Sequence, residues 1–125
     1  MHAMRKYYGS DHNQFVRAHA HAVGAVSYFF RTARGWLQPE VEFVYDICAP
    51  PGALVLRPMD GEVESFALMT LEETVAHMRR GEFKPNCAVV LLDFLIRRGI
   101  VTPDNEPDYM QIVTRLHGRF DIDKW

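Results

Sequence analysis

The sequence predicts a mixed α+β fold, of the α/β type: at least two or three strands first, then two or three helices. Three observations carry this. Residues 22–30 and 41–47 concentrate β-branched and aromatic side chains on either side of a glycine-containing break at 31–35, the texture of an antiparallel pair. Residues 70–117 change to helical spacing, with start and stop signals around each run. A length of 125 residues, 48% hydrophobic and 24% charged, suits one compact domain with a modest core.

Residues 1–14 lack periodicity, are rich in polar groups and read as a loose leader ahead of a domain over 15–125. Residues 15–21 read either as a short helix or as a run into the first strand. Strands at 22–30 and 41–47 follow. Ala49, Pro50, Pro51 and Gly52 then break the chain, and Pro58 keeps the stretch to Met59 loop-like, because proline lacks an amide donor. Residues 62–68 read as a short strand, with Val63, Phe66 and Leu68 set for burial around Glu62 and Glu64.

Thr70, Leu71, Glu72 and Glu73 form a capping box: the threonine hydroxyl accepts from the amide three residues on, and Glu73 reaches back. The helix runs to about Arg80 and stops at Gly81. Asn86 is set to cap the next helix, over 87–98. Its residues Val89 to Leu92 and Phe94 to Ile96 are apolar on more than one face, which marks it as central; Asp93 interrupts the run. Arg97, Arg98 and Gly99 close it as Arg79, Arg80 and Gly81 close the first. A third helix opens within 104–107 and carries Tyr109, Ile112, Val113 and Leu116 at helical spacing. Three strands are few for a free-standing sheet domain, so strands are expected to be missing.

The formal net charge of −2 gives no basic field for a nucleic-acid polymer. No apolar run approaches the roughly 18 residues of a membrane span, and the first residues lack an apolar signal core. The expectation is a cytoplasmic protein with no membrane partner. Cys48 and Cys87 fit no metal or CxxC spacing and read as reduced, partly buried thiols.

One combination is more specific. Gly24 to Tyr28, Gln38 to Glu40, Tyr45 and Asp46 are followed by Asp60, Gly61, Glu62, Val63, Glu64, Ser65 and Phe66. Phe83, Lys84, Pro85 and Asn86 come next, then Asp93 to Gly99. This pattern, over roughly residues 15–117, resembles the thiamine-pyrophosphokinase-related Nudix hydrolases of fungi and plants. The resemblance implies a partial Nudix-type α/β/α sandwich around a mixed sheet. It also implies hydrolysis of a diphosphate linkage with Mg²⁺ or Mn²⁺. The substrate class is a nucleoside or thiamine diphosphate-type small molecule, such as an oxidised nucleotide or a damaged thiamine diphosphate.

The departure from that family is as informative. Its Gly-x5-Glu-x7-Arg-Glu-x2-Glu-Glu box supplies the helix carboxylates that hold the metal. Here no arginine is followed by glutamate, and the single Glu-Glu pair, Glu72 with Glu73, is the capping box. The sequence therefore reads as the C-terminal part of such a domain without its box. As an isolated chain it is expected to be inactive, possessed of no metal of its own, or to act as a non-catalytic binding or dimerisation module.

The resemblance singles out Glu62 as metal ligand and catalytic carboxylate, with Glu64 second; on a strand the two share a face. The competing reading is a solvated acidic edge. Lys84 and Asn86 are substrate-binding candidates beside a helix N-terminus, or else parts of a helix entry. Tyr28 is a candidate for stacking on a base or thiazole, or else a sheet residue. Asp93 is either functional or a buried group paired with Arg97 at i+4. His19 and His21 share a face if extended, which would allow zinc, against plain surface histidines. Missing strands would leave an open edge, so a homodimer through the sheet edge is expected.

Overall fold

The computed structural model describes residues 12–48 and 63–118, with Pro58 and Gly61 between them. Its elements are α1 (His12–His19), β1 (Ala20–Arg31), β2 (Leu37–Ile47), α2 (Leu71–Arg79), α3 (Pro85–Arg97) and α4 (Tyr109–Leu116). This is the mixed α+β class the sequence predicts. The chain divides into two units: Met1–Val23 with Tyr45–Val75, and Gly24–Val44 with Ala76–Trp125.

In the first unit, residues 12–14 are helical; the rest of the expected leader lies outside the described residues. No glycine or proline interrupts 12–19, and the β-branched texture starts only afterwards. α1 takes the helical option for residues 15–19 and the strand takes 20 onward. His19 therefore ends a helix while His21 lies on β1; the shared strand face that a zinc pair needs is lost. Residues 63–70 carry no strand, against expectation. Gly61 at φ 76° turns the chain just before them, and residues 64–70 are exposed, so there is no buried face to fix a register.

The capping box forms as written in the sequence. The Glu73 amide donates to Thr70 Oγ1 at 3.2 Å and the Thr70 amide to Glu73 Oε2 at 2.7 Å. Two otherwise orphaned donors at the start of α2 are thereby satisfied.

In the second unit, β1 and β2 form a two-stranded antiparallel hairpin. The connection is built on Thr32: its amide donates to the Trp36 carbonyl at 2.9 Å, its carbonyl accepts from Gly35 at 2.8 Å, and its Oγ1 accepts from the Trp36 amide at 3.2 Å. Gly35 sits at φ 83°, which glycine adopts without strain. β2 starts four residues earlier than expected and includes Pro39, a residue confined in sheets to edges and strand starts. A parallel bridge joins Ser27 to His117. The sheet itself is the β1–β2 pair, and the residue after α4 meets β1 at this isolated bridge.

The helix ends explain themselves. In α2, Gly81 donates to the Met78 carbonyl and Glu82 to that of His77; in α3, Gly99 donates to Ile96 and Ile100 to Leu95. Both are Schellman closures, with glycine left-handed at φ 70° and 68°. At the start of α3, Lys84 holds the cap position without a side-chain bond and Pro85 opens the helix. Asn86 is therefore inside the first turn, not the cap as expected: Pro85 fixes the entry one residue earlier. α4 also begins later than expected, at Tyr109. Asn105 Oδ1 accepts from the Thr102 amide and its Nδ2 donates to the Ile100 carbonyl, which commits 102–105 to turns. Pro107 disfavours helix at Glu106.

Val26, Val44, Leu95 and Leu116 are the buried apolar side chains among the described residues, all in this second unit. α3 is half-buried or buried from Ala88 to Arg97, the central helix its composition predicts. The two cysteines are free and exposed, rather than partly buried. Among the described residues, no helix is long and apolar enough to cross a membrane.

Thr70→Ala removes the hydroxyl that accepts the Glu73 amide. It is expected to destabilise the protein by about 1 kcal/mol, read as a lowered urea midpoint by circular dichroism.

Candidate functional site

Of the residues singled out from sequence, Glu62 lies outside the described residues. Glu64 is exposed in the irregular stretch after Gly61 and belongs to the first unit. Residues 63–70 carry no strand, so Glu64 does not lie on the short strand expected there. Lys84, Asn86 and Tyr28 belong to the second unit. Asn86 Oδ1 accepts from the Cys87 amide at 3.0 Å, and Lys84 is exposed, its carbonyl accepting from Ala88 at 3.0 Å. These geometries favour the helix-entry reading for both residues.

Tyr28 is more distinctive. Its hydroxyl donates to Glu40 Oε2 at 2.5 Å and lies 3.3 Å from Glu42 Oε1. Gln38 Nε2 donates to the other Glu40 oxygen at 3.1 Å. Glu40 and Glu42 are two residues apart on β2 and so share a face, the face that also carries the buried Val44. One phenol proton serves one carboxylate at a time, so the trio is short of positive charge. Burial, then the hydrogen bond and charge of Glu40, then Glu42, push the Tyr28 hydroxyl well above the ordinary tyrosine range. It is a hydrogen-bond donor, not a base. Sequence reading missed Glu40 and Glu42; the signal was the Glu-x-Glu alternation, which needs the hairpin register to be placed opposite Tyr28.

A second cluster surrounds Asp93, 6% exposed on α3. Arg97 Nε donates to its Oδ2 at 2.7 Å, the i+4 partner that the sequence predicts. His117 Nε2 lies 3.8 Å from Oδ1. The other ring nitrogen, Nδ1, donates to the Val113 carbonyl at 3.1 Å. Ser27 Oγ donates to the Gly118 carbonyl at 2.6 Å. A serine, a histidine and an aspartate therefore meet here without forming a nucleophilic triad. The hydroxyl is turned to a carbonyl, and the imidazole nitrogens face Val113 and Asp93, not Ser27.

Beyond the end of α2, Glu82 accepts from Arg80 Nε at 2.5 Å and pairs with His77. Arg80, then His77, pull the Glu82 carboxyl down to about 2. It is a paired surface acid two residues from Lys84. Among the described residues, no three His, Cys, Asp or Glu side chains are placed to hold a metal ion. Glu40 and Glu42 are a pair of carboxylates on one strand face, and two carboxylates alone hold magnesium weakly.

Comparison with known proteins adds a similarity that this geometry alone does not give. Nudix hydrolase 20, chloroplastic, of Arabidopsis thaliana is 37% identical over 78% of the chain and 26% of its own length. Nudix hydrolase 24, chloroplastic, of the same plant is 37% identical over 76% and 26%. The chain is similar to Nudix hydrolases. The Saccharomyces cerevisiae protein named Uncharacterized protein YJR142W is 45% identical over 78% of the chain and 31% of its own length. These Nudix relatives support the Nudix family suggested by residues 60–66 and 83–86. The chain spans between about a quarter and a third of their lengths. No family model and no solved structure matches it.

Two outcomes follow from the clusters. Arg97→Ala leaves Asp93 buried with its nearest cation gone. It is expected to cost up to about 3 kcal/mol, the low end for a broken buried pair because Arg97 is partly exposed, read by urea denaturation. For Tyr28, the raised hydroxyl contributes stability that is complete below the unfolded value of about 10 and lost as pH rises through the folded value. Ultraviolet titration is expected to show one tyrosine ionising later than the rest, and Tyr28→Phe to remove that late component.

Proposed function

We propose that residues 15–125 are the C-terminal portion of a Nudix-type pyrophosphohydrolase domain. What supports the reading is 37% identity to two proteins named Nudix hydrolases over more than three-quarters of the chain. The whole domain would cleave a diphosphate linkage in a small molecule, such as an oxidised nucleotide or a thiamine diphosphate derivative, as its thiamine-pyrophosphokinase-related motif implies. Mg²⁺ or Mn²⁺ would polarise the phosphate and activate water. Glu62, with Glu64 behind it, would be the secondary acidic contribution to that metal. The setting we propose is cytoplasmic; chloroplastic stands in the names of the two plant proteins.

The 125 residues contain no Arg-Glu dipeptide and so no complete box. Without it the metal lacks its main ligands, and this chain by itself should not hydrolyse. The assay is release of phosphate or monophosphate from oxidised deoxynucleotides and thiamine diphosphate with Mg²⁺ or Mn²⁺. Background rates are expected. Turnover that disappears in Glu62→Gln would overturn the inactive reading. A box encoded in frame upstream of Met1 in the genome would support the family portion of the proposal; an upstream frame without one would count against it.

A second reading has its own observation. Trp36, Leu37 and Phe43 of the hairpin are 74%, 67% and 76% exposed. Large apolar side chains left in water favour a non-catalytic module that associates with another protein surface.

A further inference from the structure

Side-chain exposure and backbone freedom part company along this chain. Trp36, Leu37 and Phe43 are strongly exposed, yet their backbone is held. The Trp36 carbonyl accepts from the Thr32 amide and its amide donates to Thr32 Oγ1. Leu37 and Phe43 lie on β2, which is paired with β1. Met110 is exposed as well, but it sits within α4.

The stretch before α2 differs. Residues 63–70 belong to no helix or strand. Leu68 is fully exposed, and Met69 and Leu71 are open to solvent beside it. Among the described residues, no hydrogen bond holds Ala67, Leu68 or Met69; the capping box takes hold at Thr70. No proline lies between Pro58 and Pro85, so each residue of the stretch carries an amide. An enzyme that takes an extended peptide draws affinity from main-chain hydrogen bonds and selectivity from side-chain pockets. A helix or ladder must open before it can be bound so, and cleavage falls with the population of the open form. At Leu68 the backbone is already open, and the side chain suits a hydrophobic S1 pocket.

The division of the chain sets what a cut would do. Residues 63–70 lie in the Tyr45–Val75 segment of the first unit, whereas the second unit is Gly24–Val44 with Ala76–Trp125. A cut after Leu68 therefore falls between the two segments of the second unit and breaks neither. Those segments are joined without the covalent link. Ser27 is bridged to His117, and its Oγ donates to the Gly118 carbonyl. Of the buried apolar side chains, Val26 and Val44 come from one segment and Leu95 and Leu116 from the other.

We propose that the Leu68–Met69 bond is a cleavage site for endopeptidases with an apolar S1 pocket, and that the two products stay joined through the second unit. Water adds across the bond, leaving a carboxylate on Leu68 and an ammonium on Met69. Thr70 and Glu73 remain together on the second product. The probe is brief digestion of the whole chain with chymotrypsin, with the fragments assigned by mass spectrometry and then run on a native sizing column. Cleavage after Leu68 is expected to be at least about tenfold faster than after Trp36, Leu37 or Phe43, and the two products are expected to elute together. Met69→Pro, which removes the amide of the scissile bond, is expected to abolish that cut while the circular dichroism stays unchanged. Hairpin bonds cut as fast as the Leu68 bond overturn the site. Products that separate on the native column overturn the joining through the second unit.

Discussion

Asp93 is the constraint around which the second unit is organised. A carboxylate 6% exposed must be compensated, and each compensation fastens another element. Arg97 at one oxygen keeps the pair within α3. His117 at the other stands at the end of α4 and is also the residue bridged to Ser27 of β1. The cost of burying one charge is thus turned into a fixed junction of two helices and a strand. The apolar contacts beside it, Leu95 on α3, Leu116 on α4 and Val26 on β1, lie on the same three elements. Polar specification and apolar burial coincide.

Much of this was legible in the sequence wherever the information is local. A capping box, a proline at a helix entry and an Arg-Arg-Gly terminator each act within five residues, and α2 and α3 end where those signals say. The i+4 pair of Asp93 and Arg97 was legible for the same reason. Boundaries failed where a competing local bond decided. Asn105 captured the turn before α4, and Pro85 moved the start of α3 ahead of Asn86. The strand expected at 62–68 failed because strand identity depends on a partner, which no window of sequence contains. The hairpin register was equally invisible. Tyr28 was named without its two glutamates, and Glu64 was named with a geometry it does not have.

The electrostatics separate structural from chemical use of acids. Glu82 is held ionised by Arg80 and His77, and Asp93 is committed to its junction. Glu40 and Glu42 are different: both lie beside the Tyr28 hydroxyl on a sheet face, and the Gln38 amide also donates to Glu40. The similarity to Nudix hydrolases therefore meets a chain whose described acids are mostly spoken for, and whose metal chemistry would depend on groups beyond them.

Gly24 has a consequence for how this protein tolerates change. It sits within β1 at φ 146°, at the position where the strand passes from one unit to the other. There is open space around it, so no neighbour would collide with a new side chain; the backbone angle alone excludes one. In a library of random variants, position 24 should behave like a buried site, depleted of everything but glycine, although it is exposed. Surface accessibility would mislead anyone choosing a place there for a label or a crosslinker.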